Sequence, residues 1–348
     1  MEPSSQEALG RATGVVVPAY FSAAPTDDLV RRLLWMTLGD SHHYLPPEQV
    51  WVVVDGDRRT ARLAAEVQEA LREHLGRTFH LLPLAENGGK FRALCEGVRG
   101  LLARHPEVRY VAVRDGDGDH ALSDLPALLR AAEECAAARG DSNVLVAGSR
   151  ASRHHPMGWV RGELETLLDR VTIDALAYHL ARQGRALDLT RLPAPNGVPD
   201  LSSGYKVYGR HAAERLFVEA TPHLASLSER DYWRYGPETV PVVEAALSGA
   251  TLAETARVTF NGQPTSSFGD FHVVALYGAL LGWVFTRLEI PLPVAAQLYD
   301  NAACRMLLAT AGPGAETLDA VRRHTLERAA THCGGAEIPP PCPRATFL

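Results

Sequence analysis

Three aspartates, Asp115, Asp117 and Asp119, alternate with glycines in "VRDGDGDHALSDLP", directly after an apolar run rich in valine. Carboxylates this close repel one another, and the repulsion asks for a cation between them. An EF-hand loop also opens Asp-x-Asp-x-Asp, but it needs glycine at its sixth position and glutamate at its twelfth. Those positions are His120 and Pro126 here, so that reading fails. Hard oxygen ligands suit Mg2+ or Mn2+, and such an ion would bridge to a diphosphate. An Asp- and Gly-rich surface turn is the competing reading. The buried strand before the cluster and the helix after it argue against that.

A second acidic stretch, "VVVDGDRRT" at 52–60, places Asp55 and Asp57 after another apolar run. The spacing is similar to that of haloacid-dehalogenase-type phosphatases, which would make the chain a phosphohydrolase. Arg59 stands where that pattern has Thr or Val, so the match is incomplete. No G-x-x-x-x-G-K-[ST] occurs, nor a G-x-G-x-x-G after the first strand, which disfavours a P-loop or a dinucleotide site. Of 35 basic residues only Lys90 and Lys206 are lysines, and both lie in glycine-containing segments, "ENGGKFRAL" and "SSGYKVYG". An ammonium makes compact contacts to phosphate that a guanidinium does not. Candidate carboxylates for proton transfer are Glu238, after a Gly-Pro turn, and Asp231. Glu238 reads equally well as a helix-start acid that favours the dipole. His120 and His272 are candidate metal ligands, although a lone histidine is more often structural.

The elements that must position these groups alternate. Apolar runs at 14–20, 49–57, 78–84, 108–115 and 142–150 read as strands. Helical patterns at 27–38, 59–75, 90–105 and 122–140 separate them. This is the βαβ signature of a mostly parallel α/β sheet flanked by helices. Ligands of such sheets bind beyond the carboxyl ends of the strands, and each of the five ends carries a polar or charged group. Residues 158–183 and 237–249 read as further helices, "LAETARVTF" as a short strand, and three helical segments fill 271–332. The expected organisation is an irregular N-terminus (1–12) and a catalytic domain (13–268), whose halves are 13–150 and 151–268. A helical segment (269–335) and an irregular tail (336–348) follow.

The chain has 348 residues, 46% of them hydrophobic, ample for a sizeable core. A net charge of -6 gives no general attraction to nucleic acid or anionic lipid. Five scattered cysteines without a C-x-x-C pair fit a reducing cytoplasm. The N-terminus lacks an apolar leader. The most apolar stretch, 272–285, is too short to span a bilayer and reads as a buried helix.

Taken in order, these segments resemble the GT-A glycosyltransferases, most closely family 2 enzymes of the dolichyl-phosphate mannose synthase type. The resemblance covers roughly residues 13 to 268. It implies a GT-A (Rossmann-like) fold and transfer of a sugar from a nucleotide-diphosphate sugar, such as a UDP- or GDP-sugar, with Mg2+ or Mn2+. It implies nucleotide-sugar contacts from Pro18, Ala19 and Tyr20 in "VVVPAY", from Asp55, and from Asn87, Gly89 and Lys90. "RDGDGDH" would supply Asp115 and Gly116 to the nucleotide sugar. Asp115, Asp117 and Asp119 would hold the metal. "VAGSR" implicates Arg150, and "DLSSGYKVYGR" puts Gly204 and Tyr205 on the acceptor side. There Lys206 replaces the family's usual arginine. "YGPE" also resembles glucosyl-3-phosphoglycerate synthases, but the basic motif with a metal-binding histidine is missing downstream, so the stereochemical outcome stays open. A small soluble acceptor is preferred over a polyprenyl-phosphate or other lipid-linked one, and the C-terminal helices are expected to pack on the domain or form a homodimer contact. A non-catalytic nucleotide-binding module is the remaining alternative.

Overall fold

The valine-rich runs pair with one another. β1 (Thr13–Ala19) and β2 (Val50–Val54) lie parallel with Val15 opposite Val50, and every residue of both is buried. The computed structural model describes residues 4–155, 157–192, 197–257, 272–310, 312–332 and 334–342. Over these, β3 (His80–Pro83), β4 (Tyr110–Val113), β5 (Val144–Arg150), β6 (Lys206–Gly209) and β7 (Thr251–Arg257) complete one sheet of order β3-β2-β1-β4-β6-β5-β7. All neighbours are parallel except β6, which runs antiparallel between β4 and β5. The expected mostly parallel α/β sheet is therefore present.

Helices α1 (Gln6–Arg11), α2 (Asp27–Leu38), α3 (Arg58–Leu75), α4 (Lys90–Arg104), α5 (Leu125–Arg139) and α6 (Trp159–Arg182) alternate with the first strands. α7 (Arg210–Ala213), α8 (Glu229–Tyr235) and α9 (Thr239–Leu247) follow β6, and α10 (Val273–Arg287), α11 (Leu292–Ala303) and α12 (Gly312–His332) end the described chain. The starts obey local chemistry: Thr26 caps α2 by accepting from the Leu29 amide, and Asp57 caps α3 by accepting from the Thr60 amide.

Strand side chains alternate between two cores, as a sheet covered on both faces requires. Val15, Val17, Val52 and Val54 pack with α2, α3 and α5, while Val16, Trp51, Val53 and Val113 face α4. The second core continues without a break into Trp283, Phe285, Tyr299 and Leu318, so the C-terminal helices pack on the domain through α6. Among the described residues no helix is long and apolar enough to cross a membrane. The apolar stretch at 272–285 is α10, a largely buried helix.

One expectation needs correction, and one element was not foreseen. Residues 1–12 are not wholly irregular: Ser5 accepts from the Ala8 amide and starts α1, a helix too short to show periodicity. The segment "KVYG" is β6, a four-residue strand whose length hides its pattern. The boundary at 268 and the stretch "VTFNGQPTSSF" lie outside the described residues.

The antiparallel β6 brings its beginning to the same edge where β1, β2, β4, β5 and β7 end. Arg150 and Arg257 are register partners there. Just beneath this edge lies a layer of buried ion pairs. Arg150 Nε donates to Asp200 Oδ2 at 2.8 Å, and its Nη2 lies 2.6 Å from Asp200 Oδ1 and 2.8 Å from Glu165 Oε2. Arg153 Nη1 donates to Asp169 Oδ2 at 2.8 Å. Removing one partner of such a pair strands a buried charge. Asp200→Ala is therefore expected to lower unfolding stability by about 3–5 kcal/mol, read as a shift of the urea midpoint at unchanged slope.

Candidate functional site

The strand ends and the loops after them surround one cleft of about 1280 Å³. Its first wall is the loop after β1. Pro18 and Ala19 end that strand, and Tyr20 is 53% exposed at the mouth. Asp55 follows β2 and is buried. Its two carboxylate oxygens accept from the amides of Gly88 (2.8 Å) and Gly89 (2.9 Å). Gly89 has a φ of +96°, and a Cβ there would lie 2.6 Å from the Trp233 carbonyl oxygen, so the position requires glycine. This turn starts α4 and delivers Lys90, while Asn87 stands exposed on the cleft.

Lys90 Nζ lies 2.7 Å from Asp115 Oδ1 and 2.6 Å from Glu238 Oε1. Burial works against the ammonium, but the two carboxylates outweigh it and hold its pKa above the ordinary lysine value. Burial likewise opposes the Asp115 charge, and Lys90 reverses that, keeping the carboxyl below the usual range. Glu238 occupies the position before α9 yet makes no side-chain cap there. Its partner is Lys90. Gly116 packs against the Pro18 carbonyl, and Gly204 faces the Asp115 carboxylate, where a Cβ would stand 2.9 Å from Oδ2.

The three aspartates do not converge. Among the described residues no group of three or more His, Cys, Asp or Glu side chains is placed to hold a metal by itself. Asp115 turns to Lys90, and Asp117 sits on the cleft, its Oδ1 3.4 Å from the Asp119 amide. Asp119 is buried, and its Oδ1 makes no hydrogen bond among the described residues; His120 Nε2 lies 3.4 Å away. Burial and then the Asp117 charge push the Asp119 carboxyl up to about 8. It is an orphaned acceptor close to two further acids. His120 Nδ1 accepts from the Asp115 amide at 2.9 Å, and burial and the Arg257 charge hold the ring's pKa well below the ordinary histidine value. His272 caps α10 by accepting from the Ala275 amide and does not line the cleft.

Several expected residues have other work. Arg150 is committed to Asp200 and Glu165, with its side chain 1% exposed, so its charge is spent within the floor. Lys206 is buried and donates to the Ser203 carbonyl. Tyr205 is fully buried, stacked 5.1 Å from the His120 ring, and its hydroxyl makes no hydrogen bond among the described residues. Burial raises its pKa. Asp231 lies in the first turn of α8 and does not line the cleft. Asp57 accepts from the Thr60 amide at 2.6 Å, so both acids of the phosphohydrolase reading are committed to backbone amides. Sequence reasoning missed Arg230 and Arg234 on α8, Arg257 at the end of β7, and Arg161 on α6, all on the cleft. One signal was available, the i, i+4 spacing of Arg230 and Arg234 ahead of "YGPE".

No family model matches the chain, and no curated protein matches it. Among solved structures it is similar to the mannosyltransferase PcManGT from Pyrobaculum calidifontis in complex with GDP-Man and Mn2+. The identity is 15% over 96% of this chain and 90% of that one, with a TM-score of 0.46. It is also similar to S. aureus TarS 1-349 in complex with UDP, at 12% identity over 92% and 89% of the two chains with a TM-score of 0.39. The complex of the same protein with UDP-GlcNAc gives 12% identity over 92% and 90%, with a TM-score of 0.36.

Two substitutions separate burial from function. Burial lowers the Lys206 pKa to about 8, against roughly 10.4 in an unfolded chain. Between those values the unfolded chain holds the additional proton, so stability rises with pH across that window. Lys206→Met is expected to remove the rise, measured as unfolding midpoints at a series of alkaline pH values. Tyr205→Phe deletes a buried, unpartnered hydroxyl and is expected to leave stability unchanged or slightly higher.

Proposed function

We propose that the chain is a metal-dependent glycosyltransferase that moves a sugar from a nucleotide-diphosphate sugar to an acceptor hydroxyl. The observation that carries this reading is the Asp115–Lys90–Glu238 bridge. It places an acid cluster, a cation and a separate carboxylate on one cleft at the carboxyl ends of parallel strands. The motif resemblance supports the same assignment. The cleft exceeds the roughly 300–1,000 Å³ of a single-ligand pocket, which suits two substrates.

The donor's base and ribose would lie against the loops after β1 and β2, with Tyr20 and Asn87 as contacts. Asp55 acts beneath them by holding the Gly88–Gly89 turn. Mg2+ is commonly bound by one or two carboxylates together with substrate phosphates rather than by a full protein cage. Asp115 and Asp117 fit that donor set, and the orphaned Asp119 Oδ1 adds a third hard oxygen nearby. When bound, the ion would neutralise the charge that builds on the departing diphosphate.

This chain's residues supply the rest. Lys90, Arg230, Arg234 and Arg257 give the cleft its positive charge beside the acid cluster and α8. The acceptor oxygen forms a bond to the anomeric carbon, the bond from that carbon to the diphosphate breaks, and its electron pair leaves with the nucleoside diphosphate. The hydroxyl proton passes to Glu238. Lys90 holds the Glu238 carboxylate in place at 2.6 Å and has a stronger anion to contact once the diphosphate arrives.

The test is calorimetric binding of UDP- and GDP-sugars with Mg2+, Mn2+ or EDTA. One nucleotide family is expected to bind in a metal-dependent way, with the binding lost in Asp117→Ala. Glu238→Gln is expected to keep donor affinity while lowering kcat by about 10²–10⁴-fold. Metal-independent binding, or full turnover by Glu238→Gln, would overturn the assignment.

A further inference from the structure

The loops after β1, β2 and β3 meet at the end of the cleft away from the acid cluster. Thr60 ties the first two together. Its hydroxyl accepts from the Phe21 amide at 3.3 Å, and its amide donates to Asp57 Oδ2 at 2.6 Å. Gly56 brings the second loop against the third. Its φ is +64°, and a Cβ there would lie 2.0 Å from the Asn87 nitrogen, so the two backbones touch. Asp57, the next residue, lines the cleft together with Asn87, and Tyr20 of the first loop lines it too.

Asp57 is half-buried and spends one oxygen only. Oδ2 caps α3, and Oδ1 has no partner among the described residues. The exposed Asn87 side chain has none either. Asp55, the acid that the motif resemblance assigns to the nucleotide, has both oxygens on the Gly88 and Gly89 amides. The strand order sets how far Asp57 and Asn87 stand from the acid cluster. β2 and β3 lie two and three places from β4 in the sheet. At about 4.8 Å between neighbouring strands, that is roughly 10–14 Å. A diphosphate held at the cluster would have its ribose next, and its base at the Asp57–Asn87 pair.

Tyr20 offers a stacking surface, but every base has a π face, so stacking does not choose between bases. Edge contacts do. A carboxylate oxygen accepts, whereas a side-chain amide both donates and accepts. Guanine, uracil and thymine present a ring N–H beside a carbonyl oxygen. Adenine and cytosine present a bare ring nitrogen beside an amino group, and its lone pair would face the Asp57 oxygen.

We propose that Asp57 reads the donor's base by accepting its ring N–H at Oδ1, while the Asn87 amide donates to the adjacent carbonyl, so that the donor carries guanine, uracil or thymine and not adenine or cytosine. The proposal rests on the glycosyltransferase reading and names the base class of its donor.

The test is calorimetric binding of GDP, UDP, dTDP, ADP and CDP to the full chain with Mn2+. CDP differs from UDP, and ADP from GDP, only along this edge. The variant is Asp57→Asn. Asparagine caps a helix as well as aspartate does, so α3 keeps its start while the side chain can turn a donor to the base. In wild type at least one of GDP, UDP and dTDP is expected to bind about tenfold or more tighter than both ADP and CDP. Asp57→Asn is expected to erase or invert that preference at an unchanged unfolding midpoint. Equal affinity for all five nucleotides, a wild-type preference for ADP or CDP, or a ranking unmoved by Asp57→Asn would overturn the proposal. An equal loss for all five in Asp57→Asn would put Asp57 on the ribose and overturn it too. Binding of none of the five by folded wild-type protein would instead reject the transferase reading, and the proposal with it.

Discussion

An ammonium at the start of a helix stands against the helix dipole, which favours anions there. Lys90 is such a case, the first residue of α4, and two carboxylates at 2.6 and 2.7 Å make the position tenable. The rest of the site depends on this bridge. The Asp55 carboxylate holds the two glycine amides that set where α4 begins. Gly89, lacking a side chain, lets α8 approach its backbone through the Trp233 carbonyl. That approach brings Arg230 and Arg234 to the cleft, and the Gly-Pro turn after α8 delivers Glu238 back to Lys90. One ion bridge thus ties the first half of the chain to the second.

The same edge separates charges that are displayed from charges that are stored. Because β6 runs against its neighbours, the segment Gly204–Tyr205–Lys206 enters at the edge where the six parallel strands leave it. Only Gly204 of these three faces the cleft, and Tyr205 and Lys206 go into the interior. Arg150, Asp200, Glu165, Arg153 and Asp169 form the floor as closed pairs. Buried pairs of this kind contribute little net stability, yet each member is costly to orphan. Their physical effect is to fix the loops before α6 and β6 so that the groups above them keep their positions.

Local pattern exposed the parallel core and nothing beyond about twenty residues. Strands β1 to β5 and the helices between them were legible because each short apolar run is followed by a helix-patterned segment, and the strand ends pointed to a single edge. Lys90 and Glu238 lie 148 positions apart, so their pairing has no local signature. β6 was too short to read, and with it went the direction that decides which of Gly204, Tyr205 and Lys206 reaches the site. Arg150 shows the limit most clearly. An arginine at a strand end reads the same whether it meets a phosphate or a buried Asp200, because the deciding partner is set by tertiary contact. The orphaned Asp119 and the uncharged His120 are products of burial in the same sense.

In the proposed reaction, partial burial of the charged groups on the cleft serves rate as well as recognition. Charge developing on a diphosphate is stabilised more strongly by fixed cations when water is kept away, since the effective dielectric falls. Part of that exclusion is already built in: the Lys90 and Asp115 side chains are 30% and 24% exposed, and Asp119 and Arg257 are buried. Arg150 and Arg161 share Glu165, so neither guanidinium competes with Lys90 for the diphosphate as an unmatched charge would.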